Sequence, residues 1–322
     1  MVALLHPTAL GFTHRSGTSI SSSSHRLERK LESTEARMFP TINFDGVDPA
    51  FAGFVRQYGA IFEAIKLGLL QGFLVPLDRF LHWLPPWAFL IAVGALAFGA
   101  TRRWLPSIVY VGFIYFIGAM GLWDKLMSSM AIVTVSTVLC IVIGIPLGIL
   151  VSRSKILETV TLPILDVAQT IPPFVYLIPG VFLLGLGQVP AIVASVVYAL
   201  APVIRLTNLG IRQVDPEVIE AAKAFGVTSR QLLLNVQLPL ARPSIMAGVN
   251  QTVLMSLAMV AFASLVGARG LGETVLDGIS NLKIGVGIQG GLAIVLLAIV
   301  IDRITQGYGM DDRERRRQAR KS

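Results

Sequence analysis

"EVIEAAKAFGVTSRQLLLNVQLPL", Glu217 to Leu240, is a polar, punctuated stretch inside a chain that is 54% hydrophobic and 14% charged. Asp215 and Pro216 precede it and Glu217 opens it, which reads as a helix start: a capping acid, a proline at the first helical position and an acid facing the helix dipole. Gly226 is the matching stop, because glycine adopts the left-handed conformation past a helix end at no steric cost. Val218, Ala221, Ala222 and Phe225 fall on one face of that helix. Thr228 and Gln231 have the spacing of a capping box for a second short helix, expected to end near Pro239. Helices this short are marginal in water. The pair must rest either on the chain's own membrane domain or on a separate cytosolic protein.

The surroundings set the solvent. A soluble domain carries about a quarter charged residues. This chain falls well below that, with a mean hydropathy of +0.70, and its apolar runs are long enough to cross a bilayer core of about 30 Å. The expectation is an all-α, polytopic membrane protein with about seven transmembrane helices, near 86–101, 105–123, 127–151, 160–185, 189–205, 243–267 and 286–306. All four tryptophans, Trp83, Trp87, Trp104 and Trp123, lie at or near the ends of the first two, as in an interfacial aromatic belt. Gly144 and Gly148 form a small-xxx-small pair for close helix approach. Cys140 stands alone in an apolar run and reads as a small packing residue. In the fourth run, Pro172, Pro173 and Pro179 remove backbone donors at membrane depth. Either neighbours cover the resulting kink, or the irregular segment lines a substrate path.

The flanks differ from this core. Residues 1–57 read as an extra or disordered tail, with three of the four histidines before Met38, which is the expected natural start. Residues 58–85 read as an amphipathic interfacial helix, because Glu63, Lys66, Pro76 and Asp78 interrupt their apolar pattern. Residues 86–309 form the transmembrane domain, with a polar loop over 206–242, and 310–322 form a basic tail. Basic residues gather in that loop, in the tail, at Arg102 and Arg103, and at Arg153 and Lys155. Seven alternating spans put all four groups on the cytoplasmic side, with the C-terminus inside. An eighth span at 58–83 would also move the N-terminus inside. The basic residues suit this loop bias better than nucleic-acid binding.

Several absences narrow the chemistry. No lysine follows a glycine, so the chain lacks the phosphate-binding loop of an ATPase. Only a short tail follows Gly309, so a fused C-terminal binding domain is not expected. The cores at 131–151, 173–204, 243–267 and 284–301 contain no Asp, Glu, Lys or Arg, whereas ion-coupled carriers usually keep such groups as relays. No Ser/His pair or HExxH motif sits at depth, which argues against an intramembrane enzyme, and no cofactor or metal is expected. The polar residues left there serve either as interhelical glue or as path lining. The path candidates are Thr170, Pro172, Pro173, Asn250, Gln251 and Ser256, with Asn250 first because an amide both donates and accepts. Ser195 and Thr252 are further polar residues at depth.

Beyond these local signals the chain resembles a known family. Glu220-Ala221-Ala222, three residues, Gly226, nine residues, then Val236, one residue, Leu238 and Pro239 resemble the EAA loop of bacterial ABC importer permeases, with Val236 where that pattern has Ile. "IVIGIPLGILVSRS" (141–154), "ILDVAQTIPPFVYLIP" (164–179), "RLTNLGIRQV" (205–214), "QLPLARPSIMAGVNQT" (237–252) and "GARGLGETVLDGI" (267–279) are similar to the glycine betaine/proline betaine permeases of the ProW type. The likeness covers about Leu122 to Gly309. It implies a permease core in the bacterial inner membrane working as a pair of copies. A cytosolic ATPase would grip the loop through Glu220, Ala221, Ala222, Gly226, Val236, Leu238 and Pro239, and a soluble substrate-binding protein would act outside. The implied cargo is glycine betaine, proline betaine or choline. An importer for an amino acid such as histidine or proline is the alternative in the same class, and a stand-alone secondary carrier or channel is the alternative outside it. A quaternary ammonium is held by aromatic faces. No tryptophan follows Trp123, so the selective site is expected on the binding protein.

Overall fold

The computed structural model describes residues 46–309, and these form helices joined by short turns. The N-terminal tail with Met38 and the basic tail 310–322 lie outside the described residues. We label the helices α1 (Val47–Trp83), α2 (Pro86–Thr101), α3 (Trp104–Ala119), α4 (Trp123–Arg153), α5 (Lys155–Thr170), α6 (Leu177–Leu184), α7 (Gln188–Arg212), α8 (Pro216–Ala224), α9 (Ser229–Val266), α10 (Leu271–Ser280) and α11 (Ile284–Gly309). Contacts divide the chain at Arg56. In the first unit the described residues are the opening turns of α1, and everything after Arg56 belongs to the second.

The helices α1, α4, α7, α9 and α11 are long and apolar enough to cross a membrane. The pair α5–α6 makes a sixth candidate, bent by 103° at its break. α2 and α3 have 16 residues each, about 24 Å, which is short of a straight crossing of a core of about 30 Å. Two boundaries differ from expectation. Helix begins at Val47 rather than near residue 58, because Asp48 in the first turn and Pro49 beside it make an efficient start. The segment expected to lie at the interface is part of a 37-residue helix whose length and hydropathy place it among the candidate spans.

α7 is the centre of the bundle: 61% of its apolar window is buried, against 6% for α1. Small residues let α4 and α9 approach it. A Cβ on Gly144 would stand 2.3 Å from the Val203 side chain, and one on Gly148 2.9 Å from the Ile204 carbonyl oxygen. The expected small-residue pair on α4 is therefore an interface with α7. From α9, the Thr252 hydroxyl donates to the Ala199 carbonyl at 2.9 Å. Outside this trio, α11 packs on α9 and α10, and α2 pairs with α3. Trp83, Trp87 and Trp104 are exposed, while the Trp123 ring meets Phe89 edge-on at 5.6 Å.

Prolines shape the rest. Pro76 and Pro239 each sit in the first turn after a five- or six-residue π turn, Leu70–Leu74 and Leu232–Gln237. In each case the amide just before the proline reaches back five residues, from Val75 to Leu70 and from Leu238 to Leu233. A proline inside an α-helix clashes with the carbonyl four residues back, and the wider turn carries the helix past it. Pro172 and Pro173 have no such turn before them, and there the helix breaks.

Candidate functional site: the α7–α8–α9 elbow and the broken span

α8 is a nine-residue helix held by its own caps. The Asp215 carboxylate accepts from the Glu217 amide at 2.9 Å. At the other end Val227 N–H donates to the Ala222 carbonyl at 3.4 Å and Gly226 N–H to the Lys223 carbonyl at 2.9 Å. These two bonds form a Schellman closure, which requires a left-handed residue after the cap. Gly226 supplies it with φ +77°. Thr228 and Gln231 form the expected capping box. The expected second short helix does not end near Pro239, however. It continues through the π turn into α9, one helix from Ser229 to Val266.

The loop is correspondingly shorter than 206–242. α7 runs on to Arg212, so the non-helical links are Gln213–Asp215 and Phe225–Thr228. Ion pairs explain the extension. Arg205 pairs with Asp166, and Arg212 pairs with Glu158 at 3.0 Å. Arg212 also donates to the Asn208 side chain at 3.0 Å and to the Val151 carbonyl at 3.4 Å, while Asn208 donates to Glu158 at 3.1 Å. This cluster ties the ends of α4, α5 and α7 into one platform beneath the elbow, and Arg153 donates to the Ser229 carbonyl at its edge. Sequence reasoning missed the platform: Glu158, Asn208 and Arg212 come from separate segments with no shared spacing.

No residue of α8 is buried. Glu220, Ala221 and Gly226 are exposed and Ala222 is half-buried. Phe225 is 89% exposed, an apolar ring at the tip of a capped helix. Val236 and Leu238 are half-buried and Pro239 is exposed, all at the π turn that joins the elbow to α9. The motif residues therefore divide into two groups: Glu220, Ala221, Ala222 and Gly226 at the tip of the elbow, and Val236, Leu238 and Pro239 at its root beyond the Phe225–Thr228 link.

The path candidates do not form one group. Thr170, Pro172 and Pro173 meet at the break between α5 and α6. The Thr170 hydroxyl donates to the Val167 carbonyl at 2.8 Å. The Ala168 carbonyl would have accepted from residue 172, but proline has no N–H, and the Tyr176 hydroxyl donates to it instead at 2.5 Å. Phe174 packs on Phe262 at 6.5 Å, fastening the break to α9. Asn250, first choice for a lining residue, is 8% exposed and uses both ends of its amide on α11, donating to Asp302 at 2.9 Å and accepting from Thr305. It serves as interhelical glue. Ser256 is fully buried, whereas Gln251 is exposed. Among the described residues, no group of three or more His, Cys, Asp or Glu is placed to hold a metal ion.

Comparison with known proteins agrees with this architecture. Residues 140–308 match the family model described as the inner membrane component of binding-protein-dependent transport systems. The chain is 42% identical over 271 residues to the glycine betaine transport system permease protein OpuAB of Bacillus subtilis, covering 84% of this chain and 95% of that protein. It is 45% identical over 264 residues to the glycine betaine/proline betaine transport system permease protein ProW of Escherichia coli, covering 81% and 73%. A solved structure of the MetNI methionine ABC transporter in an inward-facing conformation superposes with a TM-score of 0.51 at 26% identity, over 59% of this chain and 92% of that one.

Proposed function

The chain belongs to the family of inner membrane components of binding-protein-dependent transport systems, and from that premise we propose that it forms the path for glycine betaine, proline betaine or choline and is driven through α8. It is the permease subunit of an ABC importer, not itself an enzyme, and ATP is hydrolysed on a separate subunit. The observation that carries the coupling is α8 itself, a fully capped helix with no buried residue, mounted on an ion-paired platform. A helix so short gains stability mainly by packing, and here the surface it lacks belongs to the ATPase. Glu220, Ala221, Ala222 and Gly226 make the contact and the bend. Val236, Leu238 and Pro239 pass the load into α9. Closure of the ATPase then moves α7 and α9 as rigid bodies.

A binding protein delivers the solute on the face away from α8. A second copy of the chain completes the path and lipid surrounds the pair, with α8 and the C-terminus in the cytosol. The likeness to OpuAB and ProW, both betaine permeases, supports a betaine cargo over histidine or proline. Uptake in a cell without betaine transport of its own tests this, with the chain co-expressed beside its ATPase and binding protein. Labelled glycine betaine should accumulate and resist competition by histidine or proline. Competition by either amino acid at equal concentration would move the assignment to the amino-acid class.

A further inference from the structure

At the end of the bundle away from α8 lies a cavity of about 370 Å³, lined by Asp78, His82, Ser128, Gln188, Arg269 and two glycines. Its place follows from the helices. Gln188 opens α7 and Arg212 closes it beside α8, about 37 Å away. Gly187 N–H donates to the Val266 carbonyl at 2.8 Å, and Leu271 N–H donates to the Ser129 hydroxyl at 2.8 Å. The mouths of α7, α9 and α4 are thus joined around the cavity.

Two charges face it, the exposed Arg269 at its mouth and the half-buried Asp78. Arg269 has no ion pair and no hydrogen-bond acceptor among the described residues, and Asp78 lines the same space without lying within 4.0 Å of it. The buried Oδ1 of Asp78 has no hydrogen-bond donor; the His82 ring nitrogen Nδ1 lies 3.5 Å from it. His82 in turn donates from Nδ1 to the Asp78 carbonyl at 2.8 Å, which leaves its other ring nitrogen available. A cation and a carboxylate facing one polar cavity, each without the other, are complementary to a solute carrying both charges. The volume falls within the usual range for small-molecule sites, about 300–1,000 Å³.

We propose that this cavity is a hand-over site for a small zwitterion: Arg269 takes the carboxylate and Asp78 faces the ammonium end. The inference rests on the import reading above and adds a residue-level entry point to it. Arginine is suited to the first role, since its planar fork grips a carboxylate with two parallel bonds. Asp78 acts on a quaternary ammonium by charge alone, because that group has no proton to donate. No aromatic ring lines the cavity apart from the His82 imidazole, so the strong determinant of quaternary ammonium binding is missing. The site therefore holds its solute weakly and lets it pass.

The test uses the complete transporter, with its ATPase and binding protein, in proteoliposomes. Arg269→Gln should lower glycine betaine uptake by about tenfold, the loss of one charge-assisted contact, and Arg269→Lys should restore part of it. ATP hydrolysis stimulated by the loaded binding protein should persist in Arg269→Gln, so that more ATP is consumed per solute moved. Uptake of choline, which has no carboxylate, should survive Arg269→Gln and fall in Asp78→Asn. Unchanged glycine betaine uptake in Arg269→Gln, or equal loss of betaine and choline uptake, would overturn the proposal. A second measurement separates it from the import reading: binding of glycine betaine and of proline to the permease–ATPase complex without the binding protein, followed by saturation-transfer NMR. Binding that is lost in Arg269→Gln upholds the site even if the transporter moves a different zwitterion. No binding of either solute, in a transporter that imports glycine betaine, removes the site and leaves the import reading standing.

Discussion

At the scale of single residues, three positions carry testable weight. Gly226 closes α8 with φ +77°, and a Cβ placed on it would meet no atom of another residue within 4 Å beyond its two chain neighbours. Gly226→Ala therefore costs only conformational energy, about 1–2 kcal/mol. In a helix with no buried residue, nothing compensates for that loss. The expected outcome is reduced ATP-dependent uptake at an unchanged level of protein in the membrane, checked by transport assay and immunoblot. Glu220→Lys, on the same exposed helix, should leave folding alone while reducing uptake at least about tenfold, the scale of one lost charge-assisted contact. Tyr176 is the third position. Its hydroxyl satisfies a carbonyl that Pro172 cannot serve, and Tyr176→Phe leaves that carbonyl without its donor at a cost of about 1–3 kcal/mol. A lower midpoint of thermal unfolding in detergent, by a few degrees, is the expected reading.

At the scale of elements, the caps and most of the spans are legible in the chain, because each depends on neighbours in sequence. Asp215-Pro216-Glu217, Gly226 and the Thr228–Gln231 box lie where local chemistry puts them. The two π turns are not legible, since Pro76 and Pro239 read as interruptions unless the helix before them widens. Nor is the platform of Glu158, Asn208 and Arg212, whose members meet only after folding. Asn250 is partly legible for the same reason: an amide at depth signals polarity, and only its contact with Asp302 shows how that polarity is satisfied. The π turn at the root of the elbow makes its own prediction. Deleting Asn235 would remove the extra residue of the wide turn and leave the Pro239 ring against the carbonyl one turn back, kinking or breaking the helix at the root of the elbow at a cost of about 3 kcal/mol. Uptake should be abolished while the bundle still forms, as judged by detergent size-exclusion profile. Gly148→Ala pushes a methyl toward the Ile204 carbonyl at 2.9 Å and should destabilise the α4–α7 contact by about 1–3 kcal/mol, again read as a lower unfolding midpoint.

At the scale of the whole molecule, α7 and α9 link two ends with different jobs. One end carries α8, an exposed capped helix that we propose as the ATPase's handle; the other carries a cavity with separated charges. The cores between them hold no Asp, Glu, Lys or Arg over 131–151, 173–204, 243–267 and 284–301, and in the proposed import cycle the work done on the solute comes from the separate ATPase. Accumulation of labelled glycine betaine in proteoliposomes, compared between the chain alone and the chain with its ATPase and binding protein, tests this most directly. Uphill accumulation is predicted only in the complete assembly with ATP, and its loss in Glu220→Lys. Accumulation by the chain alone without nucleotide, or undiminished ATP-driven accumulation in Glu220→Lys, would contradict it.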